Sequence, residues 1–248
     1  MLRVNNLNGF GYSAGWTPAR IKADVWIDAG DIRTMREEIT GASATTQSVD
    51  GGLVGSIFNK GTLGGWFTSP TTGERPTING RLLTFSGAQS LIRTSGLSIT
   101  TFVMVVAAES TNVPTDGRGI VTYIPTGSPS TQDWQATSGM TLNTGTTSQF
   151  IRLESNSVSV AQSGTGATPM AVYEVSRASG VTELLVNGTS IGTSASLLGA
   201  ATSGGNIEIG RRNVTGTFPL TGSVKGFVHV SRALDASELN ALRAFMIR

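Results

Sequence analysis

Apolar residues occur along this chain in short runs, and polar turn residues interrupt them at close intervals. Runs of strand character fall at about 25–28, 81–85, 90–93, 99–108, 119–124, 149–153, 157–161, 170–177, 181–187, 206–210 and 223–230. Turn signals stand between them at Asn79-Gly80, Ser86-Gly87, Ser179-Gly180, Asn187-Gly188 and Gly204-Gly205. Residues 171–177 and 181–188 have the form of a hairpin that turns at 178–180 and ends on a second turn, Asn187-Gly188. Only residues 234–246 read as a helix: Asp235 is placed as N-cap, with Glu238 three residues on in capping-box spacing. Leu239, Leu242, Phe245 and Met246 then share a face that would pack onto the strands. The pattern predicts an all-β sandwich with a short C-terminal helix.

Residues 110–118 and 125–147 read as polar loops rich in Pro, Gly, Ser and Thr, the places to look for contacts. Residues 1–23 lack a clean period. Leu7, Phe10, Tyr12 and Trp16 lie there among Asn, Gly and Ser, and make the segment either an edge strand with its loop or an arm that docks on a neighbouring subunit. Residues 24–248 form the main domain. There is no internal repeat and no interdomain linker.

Composition narrows this picture. The chain has 248 residues, of which 32 are Gly, and only 14% are charged. That balance suits many short strands joined by tight turns. The longest apolar run, 102–108, has the length of a buried strand and is far short of the ~20 residues of a membrane helix. Net charge is +2 and no basic cluster exceeds two neighbours, as at Arg211-Arg212, so neither nucleic-acid binding nor membrane insertion is expected. Cysteine is absent, which excludes disulfides, thiolate metal sites and cysteine nucleophiles. The first residues lack a secretion signal, so an exterior role would require another export route or release inside an assembled particle. The sequons at Asn187 and Asn213 therefore say little about glycosylation.

The order of motifs resembles the concanavalin A-like lectin/glucanase superfamily, in its laminin-G-like jelly-roll form. The opening 25–31 (VWIDAGD) is similar to that family's W-x-D-A-x-D start. Asn59-Lys60-Gly61 and Arg75-Pro76-Thr77 resemble its polar loop, 78–87 resembles its N-G…L-x-F-D-G strand with Ser86 in place of Asp, and 185–188 its N-G turn. The closing order is the most specific part: 207–211 (IEIGR), Phe218 with 220–224, 226–230, then 231–234 and the Asp235/Glu238 helix. Gly226 stands where the family often has Glu, and His229 where Tyr is common. The resemblance implies a two-sheet jelly roll of the kind carried by adhesins and by bacteriophage tail, fibre or head-surface proteins, binding glycans or neighbouring subunits.

Candidate chemistry follows from the residues available. Glucan-cleaving members of the superfamily use clustered carboxylates of the form E-x-D-x-x-E, and no Glu here heads such a pattern. The nearest pairing, Asp28 and Asp31, is expected to make turn or cap hydrogen bonds. Glu208, alone between Ile207 and Ile209, is expected on a polar face. His229 is the only histidine and is expected to be a hydrogen-bonded strand residue, and no nucleophile elbow or phosphate loop is present. No cofactor is expected; a calcium on a rim loop would have to draw on Asp116, Asp133 and backbone carbonyls, without a dense D-x-D-x-D loop. For a sugar, Trp134 with Asp133 and Gln132 is the first candidate site, Trp66 the second, and Arg118 could meet a carboxylated sugar. Trp26 is expected in the core.

The leading expectation is a non-enzymatic virion surface or structural protein whose jelly roll serves subunit assembly and host-glycan binding. Its partners would be other virion subunits, copies of itself or a cell-surface glycan. The alternatives are a glycan-binding module of a cellular or secreted carbohydrate-active protein and a diverged glycoside hydrolase.

Overall fold

The computed structural model describes residues 15–94, 97–111, 117–124, 139–144, 148–155, 158–198, 205–212 and 218–248. Among them, β1 (Val25–Asp28) is followed by four short strands: β2 (Met35–Arg36), β3 (Ser56–Phe58), β4 (Trp66–Thr68) and β5 (Thr77–Asn79). Then come β6 (Leu82–Ser86), β7 (Leu91–Thr94), β8 (Phe102–Ser110), β9 (Gly119–Ile124), β10 (Met140–Thr144), β11 (Gln149–Ser155) and β12 (Val158–Ser163). The last strands are β13 (Ala171–Ala178), β14 (Val181–Val186), β15 (Thr189–Ser194), β16 (Asn206–Ile209) and β17 (Thr221–Val230), and helix α1 (Ala236–Ile247) closes the chain.

Two antiparallel sheets result. The first runs β15-β14-β13-β8-β17-β6-β5, with β1 also paired to β17; the second runs β12-β11-β10-β9-β16-β7-β4-β3-β2. They face one another across the main core, so the fold is an all-β two-sheet sandwich with one C-terminal helix. The hairpin between β13 and β14 is closed by Ser179 and Gly180, both at positive φ, and Asn187 and Gly188 repeat that geometry before β15. Two central residues at positive φ make the turn whose twist matches that of the strands.

Strand β8 shows why the helix is needed. Phe102, Met104, Val106 and Ala108 point into the core between the sheets, while Val103, Val105 and Ala107 point the other way. Those outward residues join Trp26, Val228, Val230, Leu242 and Met246 in a second apolar cluster, so α1 forms a third layer over the first sheet. The helix starts on the expected capping box. The Asp235 carboxylate accepts the Ser237 and Glu238 N–H groups at 2.8 and 2.9 Å, and Glu238 accepts the Asp235 N–H at 3.1 Å. An ion pair of 2.8 Å from Arg243 to Glu174 on β13 fastens it to the sheet.

Several elements differ from the sequence expectation. Residues 140–144, read as part of a long polar loop, are strand β10, buried throughout. The three-residue strands β3, β4 and β5 and the polar β15 were not expected either. Leu7, Phe10 and Tyr12 lie outside the described residues, but the end of the 1–23 segment does not. A 3-10 turn at Pro18–Ile21 buries Ile21, and Trp16 packs on Phe245 with ring centroids 6.0 Å apart.

Truncating either face of the first sheet should be costly. Met104→Ala on the core side and Leu242→Ala on the helix side are each expected to lower stability by about 2–5 kcal/mol in urea unfolding. A helix that contributed nothing would show no loss for Leu242→Ala.

Candidate functional site

The turn that joins β3 to β4 is fixed by one amide. Asn59 is fully buried; its side-chain oxygen accepts the Trp26 and Gly61 N–H groups at 2.8 and 2.9 Å, and its NH2 donates to the Asp24 and Gly64 carbonyls at 3.1 and 3.0 Å. Two donors and two lone pairs are thereby all used. Gly61 lies against the Asp24 carbonyl so closely that a Cβ would overlap it, which explains glycine at this position. The Arg93 guanidinium donates to the Gly64 and Leu63 carbonyls from below. Next to Asn59, Lys60 bridges Asp31 and Asp28 at 3.0 and 3.3 Å and lies 4.0 Å from the centre of the Trp26 ring. A hydrogen bond from Arg33, with help from Lys60, holds the Asp31 carboxyl down at about 2. Asp28 accepts the Gly30 N–H at 3.0 Å, the turn bond expected of it, whereas the Asp31 carboxylate makes no cap bond and is taken up by Arg33 and Lys60. Trp26 lies in the helix-side core, as expected.

This rigid turn presents an aromatic cluster. The β3–β4 register sets Phe58 opposite Trp66, with ring centroids 5.3 Å apart at 68°. The Arg36 guanidinium lies 5.8 Å from the centre of the Trp66 ring and is held by bonds to the Arg33 and Met35 carbonyls, both 2.8 Å. The cluster is open to solvent: Phe58 is 37% exposed and Trp66 is half-buried. Phe58 and Arg36 were not singled out in the sequence. Ser56–Phe58 carries no apolar–polar alternation that would have marked Phe58 as outward-facing. Chemically the arrangement offers a firm apolar ledge beside a guanidinium, suited to the apolar face and hydroxyls of a sugar ring.

The same outer face of the second sheet carries a buried polar row. Glu208 does point away from the core to this polar face, as expected, but it is fully buried there. Arg211, coming back over the strands, pairs with Glu208 at 2.7 Å and with Glu74 at 3.0 Å. Burial raises the Glu208 carboxyl above the ordinary range, and the Arg211 charge only partly offsets this. Further along, Thr122 and Thr141 share a hydrogen bond of 2.8 Å, and Glu154 meets Asn143 at 2.9 Å, Arg152 at 3.1 Å and Arg212 at 3.2 Å. Removing Arg211 would strand a charge in a dry site. Arg211→Met is therefore expected to cost about 3–5 kcal/mol in stability, measured by chemical unfolding. A loss below about 1 kcal/mol, the level of an exposed pair, would show that the row is solvated.

His229 is buried, as a hydrogen-bonded strand residue. Its Nδ1 stands 2.6 Å from the Tyr123 hydroxyl, its ring is stacked on Phe102, and Ser231 Oγ lies 3.3 Å from Nε2. Burial pushes the imidazole down to about 4, with the nearby Asp24 charge opposing in part. The unfolded chain takes up this proton near the ordinary value of 6.5 and the folded chain only near 4, so the stabilisation is complete above 6.5 and is lost as pH falls towards 4. We expect roughly 3 kcal/mol to disappear across that window, and His229→Gln to flatten the slope in unfolding experiments at stepped pH.

The remaining candidates fall in different places. Trp134, Asp133, Gln132 and Asp116 lie outside the described residues. Arg118 is half-buried; its backbone N–H donates to the Thr144 hydroxyl at 3.0 Å and its carbonyl accepts the Thr144 N–H at 2.8 Å. Thr68, Ile92, Glu208 and Thr122 are level across the second sheet. Trp66 lies two residues to one side of that line and Arg118 four to the other, a separation of roughly 20 Å along the strands. The two are not parts of one site. Among the described residues no three metal-ligating side chains converge, and no helix is long and apolar enough to cross a membrane.

With this geometry in hand, comparisons define the class as a β-sandwich domain and go no further. No family model matches the chain, and no curated protein does. Among solved structures, Trypanosoma rangeli sialidase in complex with sialic acid is similar with a TM-score of 0.54 at 12% identity, over 86% of this chain and 36% of that one. The same sialidase with 2,3-difluorosialic acid gives 0.56 at 12% identity, over 80% and 34%. The sialidase CBM40 of Ruminococcus gnavus bound to alpha2,3 sialyllactose gives 0.48 at 14%, over 65% and 96%. This chain thus spans about a third of the T. rangeli sialidase, and at such identities the likeness is one of fold.

Proposed function

We propose that this chain is a non-enzymatic glycan-binding sandwich, with Trp66 as the stacking surface. The observation that carries the reading is the half-exposed Phe58–Trp66–Arg36 cluster on a turn whose polar groups are already satisfied by Asn59 and Arg93. A sugar meeting this ledge would order few protein groups, which is the condition for useful affinity from a small contact. The non-enzymatic part of the reading rests on the carboxylates. Glu208, Glu154 and Glu174 are buried in ion pairs, and Asp28 and Asp31 are tied to Lys60, so none of these is poised at an open cleft to donate or take up a proton. In its fuller form the reading sets the module on a virion surface, among other virion subunits or copies of itself. That setting rests on the order of motifs in the sequence alone.

The test is a glycan array with neutral and sialylated oligosaccharides, followed by titration of any hit with the wild type and Trp66→Ala. Trp66→Ala should weaken binding by roughly tenfold or more, equivalent to about 1.4 kcal/mol, while the melting temperature moves little. The reading is overturned if no glycan binds, if Trp66→Ala binds as the wild type does, or if the protein hydrolyses the glycan it holds.

A further inference from the structure

A second feature lies on the other sheet, beside the end of α1. Two adjoining cavities of about 140 and 390 Å³ open there and share three cationic side chains, Arg81, Lys225 and Arg248. Lys225 and Arg81 are each placed by a distinct local device, and Arg248 follows the end of α1. Lys225 is the extra residue of a bulge in β17, where Val224 pairs with Ala108 and Gly226 with Ala107. Such bulges re-aim one side chain out of the alternating pattern. Its ammonium donates to the Ile247 carbonyl at 2.7 Å, which fixes it and leaves two donors over. Arg81 leaves the β5–β6 turn at positive φ, and its guanidinium rests over Gly30, where a Cβ would come within 2.9 Å of Nη2.

The side-chain charges do not balance. Among the described residues, neither Arg81 nor Arg248 has a carboxylate within ion-pair distance. Two acids border the space. Asp28 is already occupied by Lys60 and the Gly30 N–H, leaving Glu109 at the edge of the larger cavity. The Lys225 ammonium is held below its ordinary range, first by burial and then by Arg81, with Asp28 opposing. Phe245 and Met246 in one cavity and Met170 in the other give the space an apolar wall.

We propose that this cleft is a binding site for a compact oxyanion, a sulfate, phosphate or carboxylate group, carried by an acidic saccharide. Three convergent cations supply charge-assisted bonds to the oxyanion, and the apolar wall receives the ring that bears it. The volume exceeds that of a bare anion and falls in the range of small-ligand sites. The site is on the opposite sheet from Trp66 and does not depend on the glycan reading made there.

Calorimetric titration of the full chain at low salt tests this with four probes: inorganic sulfate, glucose 6-sulfate, glucuronic acid and neutral glucose. Saturable binding of the sulfated or carboxylated sugar is expected, with none for glucose. Arg81→Gln and Arg248→Gln, both at exposed positions, should each weaken it by roughly tenfold, while Trp66→Ala leaves it unchanged. Glucose 6-sulfate binding more tightly than inorganic sulfate would support the saccharide; equal affinities would overturn that part and leave a free-anion site. The proposal fails if no acidic probe saturates up to about 50 mM, or if both arginine variants bind as the wild type does.

Discussion

Strand Phe102–Ser110 runs through the middle of the first sheet with apolar side chains on both faces, so each face must be sealed separately. The second sheet seals one and helix α1 the other. That requirement sets the order of layers and explains why the helix is fastened with both a full capping box and the Arg243–Glu174 pair. It also draws Trp16 and Ile21 from the start of the described chain onto the helix layer. Were the outer face of β8 polar, as on a half-solvated sheet, none of these attachments would be required.

The second sheet solves a different problem. Its outward residues are polar, yet many are buried, and charge therefore has to be neutralised side chain by side chain. Arg211 serves Glu208 and Glu74, and Arg212 and Arg152 serve Glu154. Such a row contributes little net stability but makes wrong packings expensive, because every misplaced member leaves a buried charge. Gly119 shows how tight the covering is: a Cβ there would overlap the backbone of Arg211 and Arg212. Beyond this closed row, towards the β2 edge, the same face opens at β3 and β4 into the Phe58–Trp66 ledge. The rigidity of the ledge is inherited from the Asn59 amide and the Arg93 guanidinium behind it.

Much of this was legible in the sequence because it is governed by local rules. The β13–β14 hairpin is fixed by turn residues that tolerate positive φ, and the helix start by the Asp235/Glu238 spacing. The long central strand is fixed by an apolar run that only a doubly covered position accommodates. The sandwich follows from many such runs with turns between them. The four-bond role of Asn59 was present only as a motif, Asn59-Lys60-Gly61, whose purpose the hydrogen bonds reveal.

What tertiary structure alone decided concerns residues whose partners are remote. β10 reads as loop because Thr141, Asn143 and Thr144 are polar, and they are buried only because Thr122, Glu154 and Arg118 supply bonds from elsewhere in the chain. Glu208 follows the alternation correctly, yet its burial depends on Arg211 and on the covering of that face. Strands of three residues carry too little alternation to announce themselves, so the Phe58–Trp66 pair needed the β3–β4 register. The convergence of Arg81, Lys225 and Arg248 needed a bulge, a turn and a helix end to meet. Local conformational preference is encoded within a few residues. Register, coverage of a face and the meeting of distant charges are set only when the whole sandwich closes.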